Sequence, residues 1–158
     1  MNKPKIPKPI HLDPILYACE NSVYSFTITT NNRVPHFLNI EFGKKIIECL
    51  KESRTIDNCY VTAYCLMPDH LHLIGGTLKE GNSVLTFIDR FKGRSTRIGW
   101  QYGIHGVLWQ KRNYDHIIRD DEDLDTQVQY ILSNPIRKEM VNKWEEYPLC
   151  GLLDPFPF

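Results

Sequence analysis

CYVTAYCLMPDHLHLIGG, residues 59–76, sets two short apolar runs back to back. Cys59–Met67 is rich in aromatic and β-branched residues, His70–Ile74 is the second run, and Pro68 and Asp69 break the chain between them. Strand-like runs joined by so short a breaker pair as an antiparallel hairpin. Gly75 and Gly76 close the second strand. Upstream, VYSFTITT (23–30) alternates and ends at Asn31 and Asn32, which predicts a first strand. Between it and the hairpin, Ile40, Gly43, Ile46, Ile47 and Leu50 recur at helical spacing, which predicts a helix over 39–52.

Downstream, Asn82 and Ser83 can cap a helix from Val84 to about Ile98, with Leu85, Ile88 and Phe91 on one side. Gly99–Gly106 reads as a loop, Val107–Gln110 as a short apolar piece, and Tyr114–Arg119 as a fourth strand. The order β-α-β-β-α-β is the ferredoxin-like arrangement: α+β, an antiparallel sheet with helices on one face. Asp120–Asp123 then place negative charge at a further helix start, and Leu124, Val128, Ile131 and Leu132 form its buried stripe. Pro135 stops that helix. Residues 1–20, with four prolines among lysines, read as an extended arm. Residues 21–150 read as a single domain, and 151–158 as a loop tail folding back as an apolar strap.

The 158 residues carry 19 Lys and Arg against 19 Asp and Glu, so the net charge is zero. This excludes a generic polycationic coat and a polybasic membrane binder, but not a local positive patch. No apolar run approaches the ~18–20 residues of a membrane span. Five cysteines without C-x-x-C spacing argue for a reducing, cytoplasmic setting.

Chemistry can be carried at several places. On a strand, His70 and His72 share one face, and two such imidazoles can share a metal ion. Chance alone gives about 0.2 such pairs in a chain of this composition, so placement after a strand break matters more than spacing. Tyr130 lies roughly 145° from the centre of the last helix's apolar stripe, and Asn134 lies on the same side. A surface tyrosine and a helix-ending asparagine before Pro135 would look the same. Arg90, Lys92, Arg94 and Arg97, joined by Lys111 and Arg112, make a basic patch, with Phe91, Trp100, Tyr102 and Trp109 able to stack bases. Within it Arg90, Arg94 and Arg97 share a helix side, and Lys92 sits about 160° away. A solvated helix face fits the same residues. His116 could be a core histidine or a neighbour of the site.

MPDHLHLI (67–74) resembles the HUH motif of single-tyrosine transposases. WQ (109–110), YDHIIR (114–119) and YILSNP (130–135) resemble later blocks of one branch, the REP-associated tyrosine transposases. The resemblance spans about residues 23–150. It implies the HUH endonuclease fold, with the nucleophile on the additional helix. It implies His70 and His72 as ligands of Mg²⁺ or Mn²⁺, Tyr130 as nucleophile, and Asn134 as third ligand where other branches have Gln. Tyr114, Asp115 and His116 would support the site. The implied substrate is single-stranded or hairpin DNA, cut and rejoined through a 5′-phosphotyrosine link by a monomer or homodimer. Two other readings compete: a metal-dependent hydrolase using the His-x-His pair, and a non-enzymatic hairpin-binding derivative of a transposase.

Overall fold

The computed structural model describes residues 22–119 and 123–158. The predicted N-terminal arm and most of the acidic helix lead, 120–122, lie outside the described residues. Five strands form one antiparallel sheet: β1 (Val23–Thr29), β2 (Cys59–Met67), β3 (His70–Thr77), β4 (Tyr114–Ile118) and β5 (Cys150–Leu152), in the order β4-β1-β3-β2-β5. The first four follow the predicted ferredoxin-like connectivity, and the hairpin β2–β3 lies at the centre. The long helices are α1 (Ile40–Ile56) and α2 (Val84–Gln101). A shorter helix, α3 (Leu124–Leu132), is followed by the single turn α4 (Asn134–Arg137).

Strand alternation divides the sheet into two faces. Leu71 and Leu73 point to one, His70, His72 and Ile74 to the other. Helices α1 and α2 pack on each other over the first face, where Phe26, Ile28, Phe42, Ile46, Leu50, Phe87 and Phe91 close the core. α3 crosses part of the second face above β2 and β3. The sheet therefore has a closed side and a side on which the two histidines remain half-buried.

Several elements run past their predicted ends, each because of a partner distant in sequence. α1 extends a turn beyond Glu52. Arg54 in that added turn grips Asp154 of the C-terminal tail through two bonds of 2.8 and 3.1 Å. The same carboxylate accepts from Val61 N–H at 2.9 Å. The tail is thus a fifth strand on β2 and an ionic anchor, where a loop-like apolar strap is expected from sequence. Gly75 and Gly76 do not end β3. They lie inside it, opposite a bulge between Val61 and Ala63, where a side chain on Gly75 would overlap the Tyr60 carbonyl oxygen. Ser83 occupies the N-cap of α2 without a side-chain cap bond, and Asn82 instead donates to Asp57 C=O at 3.2 Å. The Val107–Gln110 segment lies along the end of β1: Asn31 N–H donates to Leu108 C=O and Gln110 N–H to Thr29 C=O. Cys49, Cys59, Cys65 and Cys150 are all buried free thiols.

Candidate active site and nucleic-acid interface

The His70 and His72 rings stand edge to face, 4.7 Å between centroids. Each has its Nδ1 engaged. His72 Nδ1 meets Thr27 Oγ1 at 3.0 Å, from the residue directly opposite on β1. His70 Nδ1 meets the carboxylate of Asp69 at 2.5 Å. The Asp69 carboxylate accepts the His70 Nδ1–H and leaves Nε2 for a metal, the usual arrangement around a protein-bound ion, while the Thr27 hydroxyl can accept from or donate to His72 Nδ1. Burial first, then the charges of His70 and Arg137, push the His72 pKa down to about 3, so that ring is neutral and able to ligate. The pair fits a divalent ion. Among the described residues no third His, Cys, Asp or Glu completes a cluster with the pair.

α3 ends at Leu132, three residues before Pro135, and Asn134 opens the separate turn α4, whose first residues accommodate the proline. Tyr130 and Asn134 therefore do not share one continuous helix face, as their spacing predicts. Tyr130 is 58 % exposed, whereas Asn134 is buried and donates to Ile131 C=O at 2.9 Å. Arg137 connects them. Its guanidinium lies 3.9 Å above the Tyr130 ring, and it donates to Asn134 Oδ1 at 2.8 Å and to Tyr130 C=O at 3.0 Å. Its charge also reaches His72 and Cys65, which face each other across β3 and β2. The sequence reading missed Arg137. Its only local signal is a cation three residues beyond Asn134.

The three supporting candidates on β4 separate. Tyr114 pairs with Thr27, which pairs with His72, so the phenol lies in the histidine row and on the histidine face. His116 lies one row further along that face, opposite Ser25. Asp115 is buried and points to the opposite face beside Phe26, which takes it out of the site.

The six basic candidates do not form one patch. Arg90 and Arg94 both bind the buried Asp57, at 2.7 and 2.8 Å. Lys92 donates to the carbonyls of Gln110 and Lys111, and burial lowers its pKa to about 8. Arg97, Lys111 and Arg112 are exposed. Arg97 thus leaves the Arg90/Arg94 group and joins Lys92 along a groove of about 610 Å³ between α2 and residues 107–111. The aromatic candidates also divide. Phe91 and Trp109 are core residues, Tyr102 stacks on Phe42 at 4.6 Å, and Trp100 is 56 % exposed. With three cations available, binding of single-stranded DNA should weaken with a log–log salt slope of roughly −2. Replacing Arg97 and Lys111 by Ala should flatten it by about 1.4, while replacing Arg90 and Arg94 should leave it unchanged. Titrations across a salt series decide between the two sets.

The site is thus an α+β sheet with paired imidazoles on an inner strand, crossed on that face by a tyrosine-bearing helix. A family model described as Transposase IS200 like matches residues 18–134, and the chain belongs to that family, whose members cut and rejoin DNA and generally use a divalent metal. It is similar to the REP-associated tyrosine transposase of Escherichia coli K12, 28% identical over 138 residues, covering 84% of this chain and 77% of that protein. A Haemophilus influenzae protein provisionally given the same name is 26% identical over 140 residues, covering 82% and 78%. In fold it resembles a solved REP-associated tyrosine transposase bound to a REP hairpin, with a TM-score of 0.70 and 22% identity over 84% of this chain and 77% of that one. No helix among the described residues is long and apolar enough to cross a membrane.

Proposed function

We propose that this chain is a metal-dependent tyrosine transposase that nicks and rejoins single-stranded DNA beside a hairpin. The observation that carries the reading is the pair of imidazoles, each with its Nδ1 engaged, on the sheet face that the tyrosine-bearing helix α3 crosses. His70 and His72, with the amide oxygen of Asn134 as third donor, would hold a Mg²⁺ or Mn²⁺ ion, which supplies charge neutralisation at the scissile phosphate. Asp69 and Thr27 fix the two rings, so the ligand atoms are in place before DNA arrives. Tyr130 Oη attacks the phosphorus and the bond to the 3′ oxygen breaks; the phenol proton passes to solvent and the leaving 3′ oxygen takes one up from solvent. The products are a 5′-phosphotyrosine and a free 3′-OH. The reverse attack by a 3′-OH restores the phosphodiester and the phenol, so joining needs no outside energy.

A hairpin partner is supported by the relatives' name and by the hairpin-bound neighbour. We read the site as complete within one chain, because α3 packs on its own β2 and β3. Tyr114 and His116 are read as supporting residues on the same face. The test is to incubate the protein with a hairpin oligonucleotide carrying single-stranded flanks, with Mg²⁺ or Mn²⁺, and look for an SDS-resistant adduct. Adduct formation that ends with EDTA and with His70→Ala supports the reading; adduct that persists in both overturns it. Asp69→Ala should cost 10- to 100-fold in Mn²⁺ affinity by freeing the His70 ring, read by paramagnetic resonance of free Mn²⁺. Unchanged affinity would remove Asp69 from that role.

A further inference from the structure

We infer that the groove between α2 and residues 107–111 is a stacking site for unpaired nucleotides of single-stranded DNA. This rests on the proposed DNA substrate and adds a binding site that the chemistry at Tyr130 does not require. Trp100 is the central residue. More than half of its surface is exposed, yet the side chain is not loose, because its Nε1–H donates to Gly106 C=O at 2.8 Å. An exposed indole held in one orientation is a prepared platform for a base.

The walls are equally fixed. Lys92 Nζ pins the carbonyls of Gln110 and Lys111, Thr96 Oγ1 accepts from Leu108 N–H at 3.3 Å, and Trp109 is anchored through its Nε1–H to Ser95 Oγ at 2.7 Å. Val107, 60 % exposed, adds apolar surface opposite Trp100. The charge is one-sided: Lys92, Arg97 and Lys111 line the groove and no carboxylate does. An apolar floor beneath a cationic rim suits a polyanion that carries flat apolar rings. It does not suit an acidic peptide, which offers no such rings in series.

Position completes the case. Gln110 N–H bonds Thr29 C=O, and Thr29 is the cross-strand neighbour of His70. Two strand spacings, about 10 Å, separate the Gln110 backbone from the His70 backbone. Trp100 stands eight residues, about 12 Å, further along α2 from Lys92 at that end, and the groove lies on the helix-covered face of the sheet, so a strand joining the two sites passes round the end of the sheet.

The experiment compares three oligonucleotides: a hairpin alone, the hairpin with a single-stranded extension on either side, and the unpaired strand alone. Affinity is measured for the wild type, Trp100→Ala and Trp100→Phe. One stacked base should make an extended hairpin bind about 5- to 150-fold tighter than the bare hairpin. Trp100→Ala should erase that gain and leave bare-hairpin affinity unchanged, and Trp100→Phe should keep part of it. The unpaired strand should quench tryptophan fluorescence in the wild type but not in Trp100→Phe. A gain that survives Trp100→Ala, or no gain from either extension, overturns the site. Quenching at Trp100 without any covalent adduct would sink the transposase reading and leave the groove standing. An adduct with Trp100→Ala behaving as wild type would do the reverse.

Discussion

Tyr130→Phe should reduce covalent capture of DNA by ~10⁴-fold or more, to background, while the fold stays intact. The substitution deletes one oxygen of an exposed side chain and keeps the aromatic ring under Arg137. Arg137 can go on holding Asn134 Oδ1, so the surroundings of the histidines should not move. Stability should stay within about 0.5 kcal/mol of the wild type, as for a surface substitution. Hairpin binding should survive, because the substitution removes no charge. Gel analysis of trapped adducts, with mass spectrometry of the linked peptide, checks this. An adduct mapped to Tyr114, which shares the His72 row, would show that the other phenol on that face is the nucleophile.

Gly75→Ala should be among the most destabilising single-methyl changes in the domain, at about 3 kcal/mol. The new methyl would collide with the backbone carbonyl of Tyr60, not with the end of a side chain that can swing away. Both strands are central, and the clash falls beside the one irregularity in their register. Relief would require moving β2 along its length. For a chain of this size the loss corresponds to roughly 6–12 °C in Tm. Thermal and urea unfolding measure it directly. An unchanged Tm would mean that the bulge relaxes without cost.

The sequence was informative wherever the cause is local. The alternation of VYSFTITT, the Pro68-Asp69 break and the apolar stripes of α1 and α2 are written in neighbouring residues, so the order of the first four strands could be read directly. The pairing of His70 with His72 on one face follows from strand geometry alone. What escaped depends on partners far along the chain. Cys150–Leu152 is too short to carry a pattern and becomes a strand because β2 offers it a ladder. Asp57 looks like a turn residue, yet it draws in Arg90 and Arg94 and removes them from the basic patch. Arg137 carries no motif. Its place between Tyr130 and Asn134 arises only once α3 stops and the chain turns again into α4.

β5 has a consequence for how the domain can be handled. β2 is buried at all nine positions, and the three residues of β5, with the Arg54–Asp154 link beyond them, cover its outer side. A chain cut after Leu149 would keep every proposed site residue and still bare a long apolar strand edge. Such an edge pairs with whatever strand it meets, including its own copy in a second chain. The last residues therefore act as a guard against self-assembly, and a trimmed version would be lost to aggregation before its chemistry could be assayed.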